Sequence, residues 1–108
     1  MNEIEKTVLV NDLLNIYSSQ LSQAQREILE NYFVYDLSMS EIADERGTSK
    51  AAVEDAIKKG VKKLQTLEDE LQFLKKQEII LEKAKSIKEK TSDKEIISLV
   101  EDIERIID

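Results

Sequence analysis

Six cations, Arg46, Lys50, Lys58, Lys59, Lys62 and Lys63, crowd into the stretch from 46 to 63, where only the acids Glu54 and Asp55 oppose them. The local balance is four positive charges in excess, inside a 108-residue chain whose formal net charge is −7. Side chains of this type at this density can neutralise a row of phosphates and release the counterions that a nucleic acid condenses around itself. The acidic total opposes any general affinity for nucleic acid or anionic membrane, so such an affinity has to come from this stretch. A solvated lysine face on a long helix has the same composition, since Lys is abundant throughout.

Other chemistries are poorly supplied. The chain has no Cys and no His, which removes thiol nucleophiles, imidazole bases, disulfides and the usual zinc ligand sets. The acidic pairs Asp44/Glu45 and Glu54/Asp55 are sequence neighbours; on a helix they diverge by ~100° and do not converge on one substrate. No glycine-rich phosphate loop exists, so nucleotide hydrolysis has no support. We expect no enzyme, no cofactor and no metal.

The elements that must carry the cations follow from apolar spacing and capping residues. With no Pro, two Gly and 36% charged residues, the composition suits an all-α protein rather than a sandwich or barrel. Ile4, Val8, Leu13, Ile16 and Tyr17 predict a first helix over 4–21. Ser22 with Gln25, Ser38 with Glu41 and Ser92 with Glu95 have capping-box spacing and predict three further helix starts. The second helix would bury Ile28, Leu29, Tyr32 and Phe33, and the third must be short because Gly47 follows so soon. Thr48 and Ser49 can cap a fourth helix, whose positions Val53, Ile57, Gly60/Val61, Leu64, Leu67, Leu71 and Leu74 run on without a breaker past Leu81. A last helix would place Ile96, Leu99, Val100, Ile103 and Ile107 on one side.

From Glu41 to Leu64 the order is short helix, glycine turn, longer helix, with Ala43, Gly47, Val53 and Ile57 at the offsets of a helix-turn-helix. In that motif a small residue admits the second helix, glycine supplies the left-handed turn, and the later apolar pair packs one helix on the other. A plain helical hairpin would use the same residues. With Val53, Ile57, Gly60 and Leu64 inward, the outward face carries Ala51, Asp55, Lys58, Lys59 and Lys62. Ala51 and Asp55 offer few base-reading groups, whereas the lysines can meet phosphates.

The segments 21–29 (Leu-Ser-Gln-Ala-Gln-Arg-Glu-Ile-Leu), 37–43 (Leu-Ser-Met-Ser-Glu-Ile-Ala), 48–53 (Thr-Ser-Lys-Ala-Ala-Val) and 58–64 (Lys-Lys-Gly-Val-Lys-Lys-Leu) resemble the fourth region of bacterial sigma factors. The chain is still more similar to the YlxM family of small bacterial proteins. That resemblance covers residues 1 to about 75 well and the rest loosely. It implies a sigma-region-4-like helix-turn-helix bundle over 1–65, with 66–108 as the continuation of the long helix and a C-terminal helix. It also implies a regulatory or accessory role beside the signal recognition particle, with its RNA or protein, or DNA, as partner. Relatives tend to carry Arg or Gln where Lys50, Ala51 and Ala52 begin the recognition helix here, which weakens base reading.

The expected nucleic-acid-binding set is Arg46, Ser49, Lys50, Lys58, Lys59, Lys62 and Lys63. The competing reading is a protein-interaction module that keeps the scaffold and modulates the particle's GTPase without touching nucleic acid. An uncovered stripe through Leu67, Leu71, Leu74 and Ile80 predicts a homodimer built on the long and last helices. No apolar run reaches the ~18 residues of a membrane span, and Glu3, Glu5 and Asp12 stand where a signal peptide needs a basic start and an apolar middle. A soluble cytoplasmic protein is expected.

Overall fold

The computed structural model describes residues 1–107, and within them the chain is built from six α-helices with no strand. They are α1 (Glu3–Tyr17), α2 (Gln23–Leu29), α3 (Met39–Arg46), α4 (Lys50–Leu71), α5 (Phe73–Glu89) and α6 (Lys94–Ile107). The all-α reading holds. The helices form two compact units, one ending at Leu71 and the other beginning at Gln72.

In the first unit α4 packs against α1, α2 and α3. The caps explain where each helix begins. Asn2 accepts from the Glu5 N–H, and Ser22 and Ser38 form complete capping boxes with Gln25 and Glu41, satisfying backbone donors that have no partner within the helix. Val10, Leu13, Leu14 and Tyr17 form the inward stripe of α1. Ile4 and Val8, expected on that stripe, are exposed. At 100° per residue they lie roughly 130° and 170° from the centre of the stripe that Val10, Leu13, Leu14 and Tyr17 set.

After Leu29 the helix widens into a π-turn, Glu30–Val34, closed by the Tyr35 N–H donating to the Glu30 carbonyl at 3.0 Å. This turn buries Phe33, while Tyr32 is only half-buried and meets Phe33 edge to face at 4.9 Å between ring centres. Gly60 lets α4 approach α2 closely: a Cβ there would stand 2.7 Å from Leu29 Cδ1. Farther along α4, the Tyr17 hydroxyl donates to Glu68 at 2.7 Å and ties α1 to it.

The expected uninterrupted helix past Leu81 is not formed. Gln72 takes φ 57°, a left-handed conformation that ends the α4 hydrogen-bond ladder, and its carbonyl then accepts from Lys76 as α5 begins. The expected domain boundary near residue 65 falls inside α4, and the first unit ends at Leu71.

The second unit is a helical hairpin in which α5 packs on α6 and Lys88 pairs with Glu104 at 2.7 Å. That hydrogen bond holds the Lys88 ammonium above its ordinary range. The third expected capping box is not used: Asp93, rather than Ser92, accepts from the Glu95 and Ile96 N–H groups. Asp is an equally good cap, and its choice starts the helix one residue later.

Candidate nucleic-acid interface

The motif itself takes the expected form. α3 ends at Gly47, whose φ of 64° is a left-handed conformation that costs glycine little. The Thr48 N–H reaches back to the Ala43 carbonyl at 3.0 Å, closing the helix end in a Schellman arrangement. Ser49 Oγ then accepts from the Ala52 N–H at 3.1 Å and caps α4. Val53, Ile57, Gly60, Val61 and Leu64 are buried, and so are Ile42 and Ala43 of α3, which fixes α4 with its other side toward solvent.

On that outward side lie Ala51, Asp55, Lys58, Lys59 and Lys62, all exposed. Lys50 and Lys63 are exposed too, but helical geometry puts them on opposite flanks, each roughly 90–130° from the centre of the outward face. The seven expected residues therefore make a band around α4 and its leading turn rather than one flat face. Ser49 is committed to its cap.

Three of the six cations carry a local counterion. Arg46 donates to Glu27 at 3.0 Å, Lys58 lies 3.4 Å from Glu54, and Lys59 lies 2.9 Å from Asp55. The hydrogen bond from Arg46 holds the Glu27 carboxyl below its ordinary value. Lys50, Lys62 and Lys63 form no ion pair among the described residues. The two pairs within α4 were open to inspection as acid-to-lysine spacings of four residues. Glu27 was missed, because nothing local connects it to a residue nineteen positions away.

An arrangement of this kind can hold a polyanion by its backbone. The outward face carries no Arg, Asn or Gln for bidentate contacts to base edges. Among the described residues no group of His, Cys, Asp and Glu is placed to hold a metal ion, and no helix is long and apolar enough to cross a membrane.

Comparison with known proteins agrees with this geometry. Residues 4–103 match the family model UPF0122, described as "Putative helix-turn-helix protein, YlxM / p13 like". A UPF0122 protein of Fusobacterium nucleatum is 37% identical over 100 residues, covering 93% of this chain and 97% of that one. Another from Clostridium botulinum is 34% identical over 109 residues, covering 95% and 100%. A third, from Mycoplasma capricolum, is 42% identical over 80 residues, covering 74% and 71%. With the helix-turn-helix geometry of α3 and α4 and a match spanning nearly its whole length, the chain belongs to the UPF0122 family of YlxM-like helix-turn-helix proteins.

Proposed function

We propose that this chain is a non-catalytic, cytoplasmic accessory protein of the signal recognition particle pathway, self-associated, that holds a nucleic acid through the cationic band of α4. The observation that carries this reading is the helix-turn-helix geometry joined to three exposed and unpaired cations, Lys50, Lys62 and Lys63, in a chain of net charge −7. The pathway comes from the likeness to the YlxM family. Arg46, Lys58 and Lys59 join the band when phosphate displaces their carboxylate partners, which exposed pairs permit because they are worth so little. Three standing contacts correspond to a log–log salt slope of roughly −3. Discrimination between DNA sequences is weak, because phosphate contacts position a protein without reading bases. A structured RNA, recognised by shape and backbone, suits such a surface as well as a duplex.

One observation favours the competing reading, a module that acts on the particle's GTPase and not on nucleic acid. Glu54 and Asp55 neutralise two of the lysines on the outward face itself. Gel-shift titrations with promoter DNA and with signal recognition particle RNA, beside a pull-down with the GTPase, separate the two. Replacing Lys58, Lys59 and Lys62 by Glu leaves the buried face of α4 intact, so the helical circular dichroism should persist while affinity for every nucleic acid falls together. Absence of binding by the parent at low salt, or unchanged affinity in the triple variant, moves the function to the protein-interaction reading.

A further inference from the structure

The second unit leaves most of its apolar side chains in water. Within α5 and α6 only Ala84 and Val100 are buried. Ile79, Ile80, Ala84, Ile87, Val100 and Ile103 line an open groove of about 200 Å³ whose one polar lining residue is Lys83. Four of those six, the isoleucines, are 40–45% exposed. Contiguous apolar surface of this kind marks a place where something else binds.

Two features name the occupant. First, the unit is a hairpin of two helices in which only Ala84 and Val100 are buried, too little for it to close a core of its own. The chain has no Cys, and among the described residues no metal-holding cluster exists, so neither braces the hairpin. Second, the two helices that flank the groove differ in net charge. α5 carries five lysines against three glutamates, and α6 carries four acids against Lys94 and Arg105. A two-fold axis that sets α5 against the second copy's α6 brings helices of opposite net charge together twice, as a self-complementary interface requires.

We infer that this groove is the face on which a second copy of the same chain docks, hairpin against hairpin, with Ile80 and Ile103 near its centre. The inference rests on the self-association proposed above and adds the surface and the pairing of α5 with the partner's α6. A foreign amphipathic helix would satisfy the apolar residues but would have no reason to match the opposite net charges of both helices.

The test uses the full chain. Sedimentation should give a dimer of the 12.4 kDa chain at micromolar concentration, and Ile80→Asp with Ile103→Asp should raise the dissociation constant at least 100-fold. Because a burial defect could also loosen the hairpin, a second measurement relies on the absence of Cys. Ile80→Cys chains mixed with Ile103→Cys chains should crosslink under mild oxidation, and Asp44→Cys chains in the first unit should not. A parent that stays monomeric overturns both the self-association and this surface, and gives the groove to another protein. A parent dimer that survives the Asp substitutions, with no crosslink through the groove, overturns the surface alone.

Discussion

Tyr17, Leu29, Ile42 and Leu64 in the first unit are 0–2% exposed, whereas from Gln72 onward the best-buried side chains, Ala84 and Val100, reach only 4% and are small. Both regions are made of helices with apolar stripes of similar side chains. What differs is enclosure. α4 meets three other helices, so its stripe from Val53 to Leu64 is covered from several directions. Within its own unit α6 has α5 alone as a neighbour, and Leu99 and Ile106 stay 61% and 82% exposed. An apolar stripe wider than ~100° needs more than a single neighbour, so a four-helix unit can close its own core and a two-helix unit cannot.

The largest expected effect would break this contrast if it failed. Leu64→Ala removes a side chain with no exposed surface, and we expect a loss of about 2–5 kcal/mol from the first unit. Ile103→Ala, at 45% exposure, should cost far less in dilute protein and more as concentration rises, because association stabilises by mass action. Thermal unfolding of both variants at two protein concentrations checks the pair. Equal, concentration-independent losses would mean that the second unit is closed by itself.

Next come the two glycines that shape the motif. Gly47→Val forces a β-branched residue to φ 64°, and a loss of about 1–3 kcal/mol is expected. Gly60→Ala sets a Cβ against the fully buried Leu29. Overpacking of about 1–3 kcal/mol should outweigh the gain in helix propensity, ~1 kcal/mol. Urea unfolding that ranks Gly47→Val at or near the parent would show that the turn is not where α3 is locked to α4.

These positions also mark how far the sequence could be read. Ser22, Ser38, Gly47, Val53, Ile57, Gly60 and Leu64 disclosed three helix boundaries and the packing of the motif, because each acts through its own local chemistry. Gln72 disclosed nothing. No Gly, Pro or Asn marks the break in Leu71-Gln72-Phe73, and propensity there favours an unbroken helix, so no local chemistry announces the left-handed residue. The candidate interface was half legible. Which residues are cationic and which side of α4 faces outward follow from spacing, but the counterion on Arg46 depends on the fold that brings Glu27 to it.

A smaller effect sharpens the second unit. Asp93→Ala removes the acceptor of two backbone N–H groups at the start of α6 and should cost about 1 kcal/mol. Ser92→Ala, at a position the sequence marks equally well, should cost almost nothing. Helical content by circular dichroism across a thermal ramp distinguishes them, and the reverse order would return the cap to Ser92.

The smallest effect joins stability to binding through Glu27. Its carboxyl titrates below the usual value of 4.5 because Arg46 hydrogen-bonds to the ionised form. A group whose folded value lies below its unfolded one stabilises the fold above the unfolded value, and the contribution is lost as the pH falls through the folded value. Glu27→Gln should therefore be slightly less stable than the parent at pH 7, with the difference shrinking below pH 4.5 and vanishing once the parent's carboxyl is protonated. The same substitution frees Arg46, which adds one cation to the band and should steepen the salt slope of nucleic-acid binding by about 0.9. Stability falling at pH 7 while binding grows more salt-dependent is the outcome that Arg46's place in the band requires. A variant that loses the pH dependence yet binds with an unchanged slope would remove Arg46 from the interface and leave Lys50, Lys62 and Lys63 to hold the phosphates.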